Sequence, residues 1–426
     1  YRVFGILSNE LLLSIPFFTL MGAILERSGL AEDLLNGFAK LFGGLPGGLA
    51  YAVIVVGAIL GAITGTVAAS VIAIGVIALP VMLRYGYQPR LATGVVAASG
   101  TITQVIPPSL VLIVLADQLG KSVGDMYLGA IGPSIAQILI FLLFILILSF
   151  INPKLMPPLP KEARTPMGWD LIKTVVLAIL PSMALIFIVL GTIFMGLATP
   201  TEAGAMGVVG AMVLAAMHRR LHWKMLWQGM ESTMNITVMV IFILIGATVF
   251  TLVFQGVDGG KWIEHLFSAM GADDAVTFLI IVNIIIFVLA FFLDFFEIAF
   301  IVIPLLAPLA KDLGIDLIWF GVLICVNMQT SFMHPPFGFA LFYLRGIAPP
   351  SIKSSDIYLG AIPWLGLQLL LVLILIFYPQ IVTGLLDKPL EVDIQQIEIK
   401  LDESDSGAQP SRAAPAEDPA DYFKRK

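Results

Sequence analysis

The sequence predicts an all-α polytopic membrane protein, and three features carry that expectation. The 426 residues are 59% hydrophobic and only 12% charged, where a soluble chain carries about 25% charged residues. Uncharged runs are long and numerous, at 41–83, 126–153, 174–201, 317–344 and 357–386. A helix needs about 20 apolar residues to cross the hydrocarbon layer, so each run can cross it. Two apolar stretches are also interrupted by double prolines, Pro107-Pro108 and Pro335-Pro336.

In chain order the apolar segments are 11–25, 49–83, 91–117, 126–151, 174–197, 203–217, 233–255, 275–310, 317–344 and 357–378. Segments 49–83 and 275–310 exceed one crossing and read as paired spans or hairpins. A double proline removes two backbone donors and disfavours helix just before it. Lipid offers the freed carbonyls nothing, so such breaks persist only where protein buries them or they line a cavity.

Five regions follow. Residues 1–48 read as a span with an amphipathic connecting helix, and 49–151 as a first repeat broken at Pro107-Pro108. Residues 152–232 form a linker and bracing spans, and 233–386 a second repeat broken at Pro335-Pro336. Ten acidic and six basic residues fall in 387–426, which reads as a polar disordered tail. The chain opens on Tyr1 and enters an apolar segment at once, so further spans are expected before it.

Charge orients the spans. Lys154, Lys161, Arg164 and Lys173 crowd 152–173, and Arg219, Arg220 and Lys224 crowd 218–224. Residues 256–274 set Lys261 against Asp258, Glu264, Asp273 and Asp274. The positive-inside rule puts the first two loops in the cytoplasm and the third outside. Trp169, Trp223, Trp227, Trp262 and Trp364 lie near span ends, as an aromatic belt would place them.

Several functions are disfavoured. A net charge of −6 with no Lys/Arg cluster argues against nucleic acid. The single Cys325 excludes a disulfide framework. His218 and His222 read as an interfacial pair with no further ligand for zinc. No HExxH, Gly-x-Ser-x-Gly or paired span aspartates suggest an intramembrane enzyme, and no Gly-x-x-x-x-Gly-Lys suggests direct ATP coupling.

The two breaks belong to an internal repeat. Pro80 is followed by Gly86 at +6, Gly94 at +14 and Pro107 at +27; Pro308 is followed by Gly314 at +6, Gly321 at +13 and Pro335 at +27. At −14 stand Thr66, within Thr64-Gly65-Thr66, and Asp294. Paired broken segments in two repeats point to a transporter site at their junction. A broken helix exposes free amides, which suit an anion, and free carbonyls, which suit a sodium ion.

Polar residues cluster at both breaks. Ser99, Gly100, Thr101, Thr103 and Gln104 precede the first, and Asn327, Gln329, Thr330, Ser331 and His334 the second. The competing reading is that such hydroxyls bond back to the preceding turn or glue helices together. Thr64, Gly65, Thr66 and Ser70 permit close packing or face the same cavity. Asp294 and Glu297 are either functional carboxylates or the cap of a hairpin bend. Glu202 after Thr199-Pro200-Thr201 reads first as a helix N-terminal signal, and a lone His334 as a packing residue.

At these residues the chain resembles the large membrane subunit of TRAP transporters, the tripartite ATP-independent periplasmic transporters. The matching text includes Ile15-Pro16-Phe17-Phe18, residues 43–48 (GGLPGG), Gly61-Ala62-Ile63-Thr64-Gly65-Thr66, Gly100-Thr101, Ile106-Pro107-Pro108-Ser109, Thr199-Pro200-Thr201-Glu202, Leu293-Asp294, Val326-Asn327 and Pro335-Pro336 with Gly338. These run in family order over about residues 1–385. The text at 295–299 and 337–342 is similar to the subgroup labelled mannitol/chloroaromatic. His334 stands where the family usually has Thr.

The resemblance implies inverted repeats with two re-entrant helical hairpins, an elevator-type architecture in the bacterial inner membrane, and no cofactor. It implies sodium symport of an organic acid such as a 2-oxo acid. The partners would be a periplasmic substrate-binding protein and a small membrane subunit. The proposed sodium ligands are Ser99, Gly100, Thr101, Asn327 and Thr330. The wider ion and substrate set adds Thr64, Gly65, Thr66, Thr103, Pro107, Pro108, Asp294, Gln329, Pro335 and Pro336. A stand-alone ion-coupled anion carrier of the same fold is the alternative, and an intramembrane enzyme using Asp294, Glu297 and His334 is a remoter one.

Overall fold

The computed structural model describes residues 2–160, 169–335 and 338–386, and among these every regular element is helical. Pro336 and the tail assigned to 387–426 lie outside the described residues. Helix α1 (Arg2–Leu7) leads to α2 (Glu10–Arg27). The α2 N-terminus is capped by Asn9, whose side-chain oxygen accepts from the Leu11 N–H at 3.0 Å. The Asn9 amide in turn donates to Asp117 at 2.7 Å, tying this start to the central part of the chain. Helix α3 (Leu30–Phe42) buries Leu34, Leu35 and Phe38 while exposing Glu32, Asp33, Asn36 and Lys40. That one-sided pattern is what an amphipathic connecting helix requires.

The first half of the core comprises α4 (Gly48–Thr64), α5 (Val67–Arg84), α6 (Pro89–Thr101), α7 (Leu110–Leu119) and α8 (Val123–Ile151). Next come α9 (Trp169–Phe194), α10 (Pro200–Met217), α11 (Trp223–Gly256) and α12 (Gly259–Ala269). The second half begins with α13 (Ala275–Leu289), then α14 (Phe295–Glu297), which passes through a π-helical stretch at 298–302 into α15 (Ile303–Asp312). It closes with α16 (Leu317–Met328), α17 (Phe339–Ile347), α18 (Ser354–Phe377) and the short α19 (Gln380–Thr383).

Among the described residues, α5, α8, α10, α11 and α18 are long and apolar enough to cross a bilayer. The helices flanking each double proline are not. Helices α6 and α7 have 13 and 10 residues, and α16 and α17 have 12 and 9. At about 1.5 Å per residue each covers roughly 14–20 Å of a hydrocarbon layer about 30 Å thick. Each pair therefore makes a hairpin that enters part way and turns back.

The halves correspond element by element: α4 with α13, α5 with α14–α15, α6 with α16, α7 with α17, and α8 with α18. Their packing is exchanged between halves. Helix α18 lies along α6, and α8 along α16; α17 packs on α5, and α7 on α15. Helices in lipid gain little from apolar contact, so close approach through small residues has to hold them together. Gly94 on α6 and Gly360 on α18 supply it: an added Cβ on Gly94 would lie 2.2 Å from the Gly360 carbonyl oxygen, and one on Gly360 2.1 Å from the Arg90 carbonyl oxygen.

Two expectations need correcting. Trp364 does not join the aromatic belt, although Trp169, Trp223, Trp227 and Trp262 are exposed. It is buried edge-on against Phe141 and Phe144, at centroid distances of 5.0 and 5.1 Å, because α18 sits between α6 and α8. Helix α11 starts at Trp223, ten residues before the apolar segment, since Lys224, Met225, Leu226, Gln228, Met230 and Glu231 are good helix formers and no proline interrupts them. The Thr199 signal does begin α10: the Glu202 N–H reaches the Thr199 hydroxyl at 3.3 Å, and the Thr199 N–H reaches the Glu202 carboxylate at 2.8 Å.

Candidate functional site

Both hairpins lose their α-helical geometry before the prolines. Helix α6 ends at Thr101 and tightens into a 3₁₀ turn over Ile102–Gln104; α16 ends at Met328 and does the same over Gln329–Phe332. The Pro107-Pro108 peptide is cis. Beyond the first break, Ser109 restarts helix α7 by accepting from the Val111 N–H at 3.2 Å.

The polar residues of the first tip are buried. The Ser99 hydroxyl donates to the Val96 carbonyl at 2.8 Å, the Thr101 hydroxyl to Ala98 at 2.9 Å, and the Thr103 hydroxyl to Gly100. These hydroxyl protons satisfy the preceding turn, which leaves oxygen lone pairs available. Thr101 uses one of them: the Gln368 amide of α18 donates to it at 3.0 Å.

The second tip is tied in the corresponding way. Gln329 exchanges two hydrogen bonds with Gln137 of α8, at 2.7 and 2.9 Å. Thr101 and Gln329 each stand six residues before the first proline, and Gln137 and Gln368 each stand 14 residues into their helices. Each tip is thus held by a glutamine from the closing helix of the other half.

Two residues further back, Ser99 and Asn327 each meet the first helix of their own half. A Cβ on Gly57 of α4 would lie 2.6 Å from the Ser99 Cβ, and one on Gly61 2.9 Å from the Thr103 Cα. Only glycine lets α4 come this near. In the second half the Asn327 amide donates to the Asn283 carbonyl and side-chain oxygens, at 2.8 and 2.9 Å. A close backbone approach in one half is replaced by an amide pair in the other.

The gap between α4 and α5 and the gap between α13 and α14 face a common space. Gly65 ends α4 in a left-handed conformation (φ +62°), which favours glycine. A cavity of about 230 Å³ is lined by Gly65, Thr66, Gln104 and Asp294 together with Phe295 and Phe332. Asp294 also takes part in a cap: its carboxylate accepts from the Phe295 N–H at 2.7 Å, while Glu297 accepts from the Asp294 N–H at 3.0 Å. The two carboxylates therefore shape the bend, and Asp294 also borders the cavity. Pro107, Pro108 and Pro335 turn the chain at the breaks, and Thr64 ends α4.

Four buried side-chain oxygens at the tips or on α18 beside them have no protein partner: Gln104 Oε1, Asn327 Oδ1, Thr330 Oγ1 and Gln368 Oε1. The same first tip carries the Gly100 carbonyl and the Ser99 and Thr101 hydroxyl oxygens, so the tips are rich in hard oxygen donors. His334 contributes by packing, stacked on Phe291 at 4.0 Å and edge-on to Phe287 at 4.5 Å. Among the described residues no three His, Cys, Asp or Glu side chains gather as metal ligands.

Gln137, Gln368 and Asn283 were not singled out from the sequence. The equal 14-residue offsets of the two glutamines are a signal that could have found them, once helix starts are known.

Two broken helices meeting around a partly polar cavity, inside a bundle of spanning helices, define a membrane carrier. Comparison with known proteins agrees. The family model described as "Tripartite ATP-independent periplasmic transporter, DctM component" matches residues 1–381, and the chain belongs to that family. It is 29% identical over 381 residues to the C4-dicarboxylate TRAP transporter large permease protein DctM of Pseudomonas aeruginosa, covering 89% of this chain and 87% of the relative. The protein of the same description in Vibrio cholerae is 30% identical over 395 residues, with 88% and 85% covered. The crystal structure of the Alcanivorax borkumensis YdaH transporter superposes with a TM-score of 0.62 at 16% identity, over 89% of this chain and 87% of that one, which shows the fold. The chain is accordingly an integral inner-membrane permease and not an enzyme.

Proposed function

We propose that the chain imports an organic acid by sodium symport, receiving it from a periplasmic substrate-binding protein and braced by a small membrane subunit. The observation that carries the reading is the set of partnerless buried oxygens at the two tips, Asn327 Oδ1 and Thr330 Oγ1 above all. A neutral oxygen buried without a donor is costly, and a bound cation relieves that cost. With a cation between the tips, the negative charge of Asp294 beside the cavity is offset and an organic anion is no longer repelled there. That sequence of events makes cation binding and anion binding mutually favourable, which is what symport requires.

The exchanged packing supports an elevator-type step. Each tip is bonded to the closing helix of the other half, so the two hairpins, α8 and α18 shift together. The bracing helices α2, α9, α10 and α11 stay with the bilayer. Relatives named for C4-dicarboxylates support an acidic substrate.

The test is uptake into proteoliposomes holding this chain with its small subunit, under an inward sodium gradient. Labelled organic acids are offered with and without the cognate binding protein. Uptake that needs both sodium and the binding protein is expected. Uptake without the binding protein would instead establish a stand-alone carrier, and uptake indifferent to sodium would remove the ion assignment.

A further inference from the structure

The two halves of the repeat carry unlike residues where they face the cavity. Three residues before the first proline stands Gln104, and three before the second stands Phe332. Both line the same cavity of about 230 Å³. A two-fold related site would put like residues there. Here one wall offers an amide and the other an aromatic ring.

Gln104 is only 2% exposed, and neither its side-chain nitrogen nor its oxygen has a partner in the protein. A buried amide with both ends unpaired is uncommon in a native structure and asks for a ligand. Opposite it, Phe295, Phe332 and Phe339 form a continuous aromatic wall, with successive ring centroids 6.0 and 6.5 Å apart. Among the described residues lining the cavity there is no Lys or Arg, and the one charge is the carboxylate of Asp294.

From this asymmetry we infer that the transported acid carries a single carboxylate and an apolar body the size of a ring or a short branched chain. The Gln104 amide donates to the carboxylate, and the aromatic wall receives the body. The inference rests on the reading of the chain as an organic-acid permease. One bound cation offsets one carboxylate, and a dicarboxylate would bring a second negative charge beside Asp294 with no cationic side chain to offset it. A polyhydroxylated acid would set most of its hydroxyls against phenyl rings, which cannot satisfy them, with only Thr66 and Tyr343 adding hydroxyls to the lining. A neutral donor with one amide group can bind one carboxylate and no more, and an aromatic wall rewards an apolar partner.

Binding is measured directly, without a binding protein or a gradient, by thermal shift of the purified full chain in sodium-containing detergent. The probes are phenylacetate, 4-methyl-2-oxopentanoate, succinate, malate and gluconate. The two monocarboxylates with apolar bodies are expected to stabilise the chain, at concentrations at least tenfold below those needed for the other three. Gln104→Glu keeps the side-chain shape, adds a repelling charge and is expected to weaken phenylacetate at least tenfold. Phe332→Gln is expected to lower the preference for phenylacetate over succinate.

Succinate or malate binding as tightly as phenylacetate would overturn the inference, and so would unchanged phenylacetate binding in Gln104→Glu. Neither result touches the transport reading, which stands or falls with sodium-driven uptake. Conversely, proteoliposomes that take up no acid would sink that reading even if phenylacetate binds.

Discussion

Gln137 on α8 and Gln329 at the second hairpin tip form a closed pair of amides, each donating to the other, at 2.7 and 2.9 Å. Both are buried. The pair joins the closing helix of the first half to the tip of the second, and the 3.0 Å bond from Gln368 to Thr101 makes the reverse connection. Buried polar links of this kind tie the two halves to each other, because contact between apolar faces holds little in lipid.

Removing one member of the pair should cost more than removing both. Gln137→Leu or Gln329→Leu leaves a buried amide without a partner, and each should destabilise the protein by about 1–3 kcal/mol. The double substitution Gln137→Leu with Gln329→Leu replaces the pair by apolar groups and should recover most of that loss in thermal unfolding. Uptake should not recover with it. A double variant that regains both stability and transport would show the pair to be packing alone.

The glycine face of α4 should tolerate no side chain opposite the first tip. A Cβ at Gly57 meets Ser99 at 2.6 Å and one at Gly61 meets backbone at Thr103 at 2.9 Å. Gly57→Val and Gly61→Val should each cost roughly 1–3 kcal/mol from overpacking and should abolish uptake in vesicles where immunoblotting finds the protein inserted. Gly246 has nothing within reach of an added Cβ, so Gly246→Ala serves as the control and should transport normally.

Between α6 and α18, backbone proximity should outweigh charge. Arg90 and Asp356 form a 3.1 Å ion pair with the arginine side chain half exposed, and such pairs contribute about 0–1 kcal/mol. Arg90→Gln should therefore shift the melting temperature little, and less still at high salt. Gly360→Val, which drives a side chain into the Arg90 carbonyl, should shift it far more. Equal effects would reverse this ranking.

Thr330 and Thr101 should separate ion binding from insertion. The Thr330 hydroxyl oxygen has no protein partner, whereas that of Thr101 already accepts from Gln368. Thr330→Val, which keeps the shape and deletes the oxygen, should raise the sodium concentration for half-maximal uptake at least tenfold with little change in unfolding temperature. Thr101→Leu should impair both. Undiminished sodium dependence in both variants would remove the tips from the ion site.

Much of the architecture was legible in the sequence because lipid imposes simple rules. Long uncharged runs belong inside the bilayer, and a double proline inside one can only survive where protein shelters it. The spacing from Pro80 to Pro107 and from Pro308 to Pro335 exposed the repeat, and Thr199 to Glu202 announced a helix start. Trp364 misled, because nearness to a span end does not reveal which neighbours flank the helix. The extent of each break was also hidden, since the loss of α-helical geometry begins at Ile102 and Gln329, several residues before the prolines.

By itself, then, the sequence determined the membrane class, the two broken segments and the identity of the polar residues beside them, because each follows from local composition and backbone chemistry. Only the tertiary structure decided which of those residues meet. That Gln368 reaches Thr101, Gln137 reaches Gln329, and Gln104 and Phe332 share one cavity depends on the exchange of helices between halves. Such contacts join positions as much as 267 residues apart, and pairing at that range is fixed by how whole helices pack, a property no local pattern encodes.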